Sequence, residues 1–339
     1  MKAAVYKGKQ HLSIENVPTP TLGPGQVLVK TRYCAICGSD VHRFQYGMLK
    51  PGAILGHESC GTIAVVGDGV TQWKVGDRVI CGGGTPPPNA PQRVSTMPRY
   101  SARTVGLGDV PFWGGYAEYV VLDAWRPLRI PDGVSDETAT LAEPLAVAVH
   151  TVRLSRLKVG DAVAILGAGA IGLLTLQVAR AAGASRVFVT EPAPARQKAA
   201  LELGADRVLD PTGEDIVSEL VKEADGLGPD IVFDCAGAPT TLQQALEMVR
   251  RQGQVMVVSL NWRPDPVLTV EWVGREVELK AAYGSLPEDW RIGVDLMAKG
   301  KIQSGPMLPE GSFVPLDRIQ QAFEGLLRPS DQVQLVVVP

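Results

Sequence analysis

The chain has 339 residues, of which 45% are hydrophobic and 20% charged, and its formal net charge is −3. This length suggests two domains or one large one, with enough apolar content for packed cores. Since no run of Lys or Arg stands out, the composition excludes the electrostatic footprint of a nucleic-acid or anionic-membrane partner. Residues 1–9 are charged and lack the apolar segment of a signal peptide, so we expect a cytoplasmic protein.

Short strands and turns are predicted for the first 145 residues. Apolar runs at 27–30, 61–66 and 77–80 are bounded by Gly, Pro or Asp, as strands usually are. The segment 82–108 is rich in Gly, Pro, Arg and Ser, which predicts an irregular lobe or a long loop, and loops of that length often carry function.

Strands alternate with helices after residue 159. The predicted strands are 162–166, 187–190, 208–209, 230–234 and 254–259, and the predicted helices are 171–182, 195–203, 215–224 and 242–250. This alternation indicates an α/β fold with a doubly wound parallel sheet over about 145–284. The last segment, with an amphipathic helix at 316–327 and a strand at 332–338, is expected to return to the first domain.

The stretch 162–179 is uncharged and close in length to a membrane span. Polar Thr175 and Gln177 interrupt it, and it contains a Gly-rich turn. A buried strand followed by a buried helix explains it better, and we predict no membrane span.

A glycine-rich turn lies between the first strand and the first helix of this region. The pattern G-x-G-x-x-G assigns cofactor contacts to Gly167, Gly169, Ala170, Ile171 and Gly172. The first glycine permits a tight turn, the second admits a pyrophosphate, the third allows close helix packing, and the helix N-terminus attracts the anion. Glu191 ends the next strand, where a carboxylate accepts hydrogen bonds from ribose hydroxyls and repels a 2′-phosphate, so the cofactor is predicted to be NAD rather than NADP.

Two further residues are candidates for cofactor binding. Arg196 would stack on adenine or bond a ribose hydroxyl, although it would also tolerate a 2′-phosphate or simply be a solvated helix residue. Gly237 follows a predicted strand at the cofactor edge and allows close backbone approach, with a plain turn as the alternative.

Metal-binding residue types are concentrated in the first part of the chain. Four of the five cysteines fall in the first 81 residues, and an odd number argues for a metal or a reactive thiol over a disulfide framework. Cys37 and His57, with the carboxylates of Glu58 and Glu143, offer the S, N and O donors that zinc accepts. We predict these ligands on separate loops, in an open catalytic site.

The ordered motifs C-G-S-D-V-H (37–42), G-H-E-x-x-G (56–61), G-D-R-V, E-P-L and G-x-G-x-x-G resemble those of zinc-containing medium-chain dehydrogenase/reductases, in particular the sorbitol, butanediol and threonine dehydrogenase branch. The resemblance implies a GroES-like, β-rich catalytic domain (1–144, completed by 285–339) and a Rossmann domain (145–284). It also implies hydride transfer between NAD(H) and a secondary alcohol, polyol or related hydroxy compound.

Several site residues follow from the resemblance. Cys37 and His57 match zinc ligands, Glu58 an acidic ligand or near-ligand, and Glu143 a position where relatives use a second cysteine. Three more residues match the family's proton relay and its support: Ser39 takes the substrate proton, His42 is the outer end of the relay, and Asp40 orients the zinc-bound histidine, as physics also expects. A surface histidine at 42 and a turn residue at 40 remain alternatives.

The sequence departs from many relatives in one respect. The interval 82–113 contains no cysteine, so we predict one catalytic zinc per chain and no structural zinc. The family also implies a small-molecule alcohol or ketone substrate and a homo-oligomer, with a tetramer favoured over a dimer.

Two other functions remain as alternatives. A zinc-free quinone or enone reductase of the same fold is disfavoured by the presence of both Cys37 and His57. A non-catalytic nucleotide-binding protein is disfavoured because a scaffold needs neither these residues nor Ser39 and Glu143.

Overall fold

The computed structural model of this chain describes residues 1–88, 114–328 and 330–339. The strands are β1 (Lys2–Gly8), β2 (His11–Asn16), β3 (Gln26–Ala35), β4 (Glu58–Val66), β5 (Arg78–Ile80), β6 (Tyr119–Asp123), β7 (Leu128–Arg129), β8 (Ala162–Leu166), β9 (Arg186–Thr190), β10 (Arg207–Leu209), β11 (Ile231–Asp234), β12 (Gln254–Val257), β13 (Glu278–Ala281), β14 (Phe313–Pro315) and β15 (Val336–Val338). The α-helices are α1 (Gly38–Tyr46), α2 (Asp136–Ala139), α3 (Ala142–Leu154), α4 (Ala170–Ala181), α5 (Pro194–Glu202), α6 (Ile216–Glu223), α7 (Thr241–Met248), α8 (Thr269–Gly274), α9 (Pro287–Ala298) and α10 (Ile319–Gly325).

One sheet is parallel throughout and has the order β10-β9-β8-β11-β12-β13. This is the strand order of a dinucleotide-binding Rossmann fold, in which the order reverses between β8 and β11 and ligands bind at the carboxyl ends of those strands. All five residues of β8 are buried, as expected for a strand covered on both faces. The α/β fold class that the sequence predicts is confirmed.

The second sheet has seven strands and is assembled from both ends of the chain. Its order is β14-β15-β3-β4-β5-β7, and β6 also pairs with β3. The pairs are antiparallel except for β14 and β15, which run parallel. Strand β15 therefore lies beside β3, and β14 lies on the outer side of β15.

The predicted elements between 162 and 259 all lie within two residues of observed ones. At the C-terminus the predicted helix 316–327 begins as a 3₁₀ turn (Leu316–Arg318) before α10, and the predicted strand 332–338 shortens to β15. Of the predicted irregular lobe 82–108, residues 89–108 lie outside the described part.

The expectation of only strands and turns before residue 145 is wrong, because helices α1 and α2 and the start of α3 lie there. In α1 the apolar signal is weak, since only Val41 and Phe44 mark the buried face of a nine-residue polar segment. The residues at the two ends of α1 give the clearer signals of a helix. Cys37 is the N-cap and accepts a bond from the Ser39 amide, and Gly47 ends the helix in the left-handed conformation at φ +73°.

A single apolar core joins the two sheets through α3. Tyr33, Cys60 and Ile80 of the mixed sheet belong to the same buried cluster as Val163 and Ile165 of β8, and the buried face of α3 completes it. None of the described helices is long and apolar enough to cross a membrane.

A buried ionic cluster attaches α9 to α3. The Asp289 side chain is fully buried, lies 2.8 Å from Nδ1 of His150, and accepts bonds from Arg153 and from the Leu286 amide. Burial alone would raise the pKa of Asp289, but these hydrogen bonds outweigh it, and the pKa lies below its ordinary value.

Replacing Asp289 with Ala is expected to lower the free energy of unfolding by about 2–3 kcal/mol, because hydrogen bonds to a charged buried group are lost. The neighbouring Glu288, which also pairs with Arg153 but is 62% exposed, provides the matched control. Glu288→Ala should change stability by no more than about 0.5 kcal/mol. Urea denaturation followed by circular dichroism measures both.

The contribution of Asp289 to the free energy of unfolding depends on pH. Because the folded-state pKa of Asp289 is depressed, its contribution is fully present above the unfolded pKa, about 3.9, and is lost as the pH falls through the folded value. The stability difference between wild type and Asp289→Ala should thus be constant above about pH 5 and narrow in acid. Equal stability of Asp289→Ala and Glu288→Ala near neutral pH would contradict the proposed attachment.

Candidate active site

The glycine-rich turn after β8 has the geometry that its sequence predicts. Gly167 has φ +92°, and a Cβ there would lie 2.9 Å from that of Ala236. A Cβ on Gly172 would lie 1.9 Å from the Gly167 carbonyl oxygen, so the helix packs where only glycine fits. Gly169, the N-cap of α4, faces open space and offers no side-chain cap. The first amides of α4, at Ala170 and Ile171, are therefore left for an anionic ligand, which fits a pyrophosphate.

Glu191 lies directly against this turn. Its carboxylate accepts bonds from the Ala168 amide at 2.7 Å and the Ala193 amide at 3.0 Å, and the residue is 4% exposed. A negative charge is thus fixed at the carboxyl end of β9. Its remaining lone pairs would accept ribose hydroxyls, and its charge opposes a phosphate at the same place.

The other two cofactor candidates have different surroundings. Gly237 follows β11 with φ +63°, and its amide donates to the buried Asp234 carboxylate at 3.1 Å. Gly237 therefore lies at the point where the strand order reverses. Arg196 instead donates from Nε and Nη2 to the carbonyl of Gln332, at 3.0 and 2.7 Å, and so joins α5 to the C-terminal segment.

Three predicted metal ligands come together. One donor atom from each of Cys37, His57 and Glu58 lies within 4.8 Å of the others, and this is the one such group among the described residues. Cys37 caps α1, His57 precedes β4, and Glu58 begins β4. The expectation that the ligands sit on separate loops is thus only partly correct, because secondary structure fixes two of them.

The buried carboxylate of Asp40 organises this group. Its Oδ2 lies 3.3 Å from Nδ1 of His57 and accepts a bond from the Tyr116 hydroxyl at 3.0 Å, while its Oδ1 accepts one from Arg43 at 2.9 Å. Burial would raise the pKa of Asp40, but His57, Arg43 and Tyr116 together hold it below its ordinary value. Asp40 and Cys37 in turn outweigh burial and raise the pKa of His57. Because Nδ1 faces Asp40, Nε2 is the ring nitrogen left for a metal.

Glu58 is buried and Glu143 is half-buried, and the two acids influence each other. Burial first, and then the charge of Glu143, raises the pKa of Glu58, whose Oε2 accepts a bond from Gln334 at 3.1 Å. Glu143 lies in the first turn of α3, outside the three-residue group, and its pKa is also raised by burial. Burial likewise raises the pKa of the Cys37 thiol.

This donor set fits a zinc ion. Buried thiol and carboxyl groups with raised pKa values are costly to ionise, and a divalent cation removes that cost by pairing with the ionised forms. A thiolate beside an imidazole and a carboxylate favours zinc over Mg²⁺ or Ca²⁺.

The two relay candidates lie one helical turn apart on α1. The Ser39 hydroxyl donates to Sγ of Cys37 at 3.2 Å and accepts a bond from Arg43 at 3.0 Å. Nδ1 of His42 lies 2.9 Å from the indole nitrogen of Trp262, in the segment that follows β12. This contact places α1, which Cys37 caps, against the carboxyl edge of the parallel sheet.

Sequence reasoning missed four residues that hold the site. Arg43 has a local signal, since it stands three and four positions after Asp40 and Ser39 on one helix. Tyr116, Gln334 and Trp262 have none, because each comes from a distant part of the chain.

Two family models match the chain. Residues 23–132 match the alcohol dehydrogenase GroES-like domain, and residues 170–299 match the zinc-binding dehydrogenase model. The first range contains β3 to β7 of the mixed sheet, and the second contains β9 to β13 of the parallel sheet.

Individual relatives extend the match to the whole chain. The chain is 33% identical over 352 residues to the (R,R)-butanediol dehydrogenase of Bacillus subtilis, with both chains covered completely. It is also 33% identical to human sorbitol dehydrogenase, covering 94% of this chain and 91% of that protein. A Sinorhizobium meliloti protein described as a zinc-binding dehydrogenase and solved with bound NADP superposes with a TM-score of 0.87 at 30% identity, covering 100% and 99% of the two chains. The chain therefore belongs to the zinc-containing medium-chain dehydrogenase/reductases and is a zinc-dependent alcohol or polyol oxidoreductase.

Proposed function

We propose that this enzyme transfers hydride between NAD(H) and a secondary alcohol or polyol, with the ketone as product, using one zinc ion per chain. The observation that carries the proposal is the convergence of Cys37, His57 and Glu58 within 4.8 Å. The Trp262–His42 contact supports the proposal, because this contact brings α1 to the edge of the sheet where a dinucleotide would bind.

The proposed ligands are Cys37, His57 and Glu58, with Glu143 as an alternative acidic ligand whose charge already acts on Glu58. When bound, zinc polarises the substrate oxygen and the nicotinamide ring accepts the hydride. Ser39 takes the hydroxyl proton at Oγ, with Arg43 holding that oxygen in place. His42 would act as the outer proton acceptor of the relay, and a ribose hydroxyl of the bound cofactor would supply the link between Ser39 and His42. Asp40 acts through His57, whose ring it orients.

The cofactor proposal rests on Glu191. Its fixed charge beside Ala168 disfavours the additional phosphate of NADP. Gly167, Gly169, Ala170, Ile171, Gly172 and Gly237 would contact the dinucleotide through their backbone. Arg196 would contribute through Nη1, since Nε and Nη2 bond Gln332. Because a structural neighbour is bound to NADP, the cofactor preference needs a direct test.

The organisation of the molecule is part of the proposal. A catalytic domain of residues 1–144 and 285–339 and a cofactor domain of residues 145–284 agree with the membership of the two sheets. The absence of cysteine between 82 and 113 supports the single zinc. A homo-oligomer, with a tetramer favoured over a dimer, is proposed from the family resemblance, and Val270 and Val273, 68% and 71% exposed, offer apolar surface for it.

Activity should require both the metal and an alcohol substrate. We expect NAD⁺ reduction with at least one member of a panel of diols, polyols, threonine and aliphatic alcohols, and loss of that activity after dialysis against a chelator. Readdition of Zn²⁺ should restore it. Full activity in protein shown by mass spectrometry to be zinc-free would contradict the mechanism.

Cys37→Ser should abolish zinc binding, because a thiolate ligand is replaced by a poor donor. The zinc content, measured by inductively coupled plasma mass spectrometry, is expected to fall from one per chain to near zero. Cys81→Ala is the control, since Cys81 is buried in a separate apolar cluster. It should retain wild-type zinc, and equal loss in both variants would show a general folding defect instead.

Glu191→Gln should weaken the discrimination against NADP. The amide keeps an acceptor for the Ala168 amide but removes the charge that repels a phosphate. We expect the ratio of the Kd for NADPH to that for NADH to fall by about tenfold or more, measured by fluorescence titration. Glu202→Ala, exposed at the end of α5, is the control. An unchanged ratio in Glu191→Gln would remove Glu191 from cofactor selection.

A further inference from the structure

Trp262 forms a hydrogen bond with the candidate relay histidine. Its indole nitrogen lies 2.9 Å from Nδ1 of His42. An indole N–H only donates, so Nδ1 must accept, and the imidazole is neutral with its proton on Nε2. The lone pair of His42 is therefore occupied.

This contact and proton acceptance exclude each other. A neutral imidazole has one lone-pair nitrogen, and both nitrogens become donors once the ring is protonated. A proton that reaches His42 from a ribose hydroxyl would have to bind the nitrogen that the indole already occupies. The Trp262 bond must open before that transfer.

The surroundings also favour the neutral ring. Burial first, and then the positive charge of Arg43 on the same helix, lowers the pKa of His42. Two aromatic rings flank the imidazole, with centroids 6.2 Å away at Tyr46 and 6.1 Å away at Trp262. Tyr46 belongs to α1, whereas Trp262 belongs to the segment between β12 and α8, so the bond links α1 to the segment that follows a strand of the parallel sheet.

We propose that Trp262 is a positioning residue that gates the proton relay: its indole N–H occupies the accepting nitrogen of His42, and the relay operates only when this contact is broken. The proposal rests on the proposed role of His42. A nicotinamide ribose that approaches His42 competes with Trp262 for the same lone pair. Cofactor binding and relay opening are thereby coupled.

Histidine titration tests the contact directly. Trp262→Phe keeps an aromatic ring and removes only the donor. Because the bond stabilises the neutral imidazole, its loss should raise the pKa of His42 by about half to one unit. The chain has only four histidines, so NMR of zinc-loaded protein labelled at histidine Cε1 resolves the titration, with His42→Asn assigning the signal.

Tyr46→Leu is the matched control. It removes the other aromatic neighbour and leaves the indole donor in place, so it should not reproduce the rise. An unchanged His42 titration in Trp262→Phe, or an equal rise in Tyr46→Leu, overturns the proposal.

Steady-state kinetics tests whether the contact limits the relay. The wild-type enzyme must break the Trp262–His42 bond before the reactive complex forms, whereas Trp262→Phe has no such bond to break. We expect kcat/KM for NAD⁺ to rise by about two- to tenfold in the pH-independent region. If the pKa of His42 rises in Trp262→Phe but kcat/KM does not, the proposed gate is wrong. If the wild-type enzyme shows no turnover, the proposed function is wrong, and the titration still tests the contact between Trp262 and His42.

Discussion

Burial of α3 between the two sheets is the constraint on which the rest of the structure depends. Nine of its thirteen residues are buried, so most of the helix surface packs against the rest of the protein. Burial of Leu145, Val149 and Val152 stabilises the fold by about 1.5–3 kcal/mol each relative to exposure. The helix carries Glu143 toward the metal group at its first turn and His150 toward Asp289 nearer its end. The position of the metal group relative to the cofactor sheet is therefore set by apolar packing.

The polar part of the site depends on a different balance. Asp40 is fully buried yet charged, because three donors surround it, whereas the buried Glu58 and the half-buried Glu143 lack comparable support. The protein itself therefore stabilises the Asp40 carboxylate as an anion, whereas Glu58 and Glu143 would be stabilised as anions by a bound cation. This division separates the group that orients a ligand from the groups that bind the metal.

The sequence was most informative where chemistry requires one residue type at one spacing. Gly167 and Gly172 could be predicted because a side chain does not fit at either position, and Cys37 with His57 because few residue types bind zinc. The parallel strands were predicted closely because burial on both faces makes them continuously apolar. Helix α1 was missed because its nine residues include few apolar ones and give little periodicity, and Trp262 was missed because its contact with His42 spans 220 residues. Long-range hydrogen bonds leave no local pattern in a single sequence.

The return of the last strands to the first sheet has a consequence for biosynthesis. The Cys34–Ala35 end of β3 pairs with Val336 and Val337, and Glu58 is held by Gln334. While the chain is being made, this strand edge cannot be paired before residues 336 and 337 have left the ribosome, although the whole parallel sheet has already been translated. The support of Glu58 by Gln334 therefore forms after the parallel sheet, and until then the nascent chain exposes a strand edge open to aggregation.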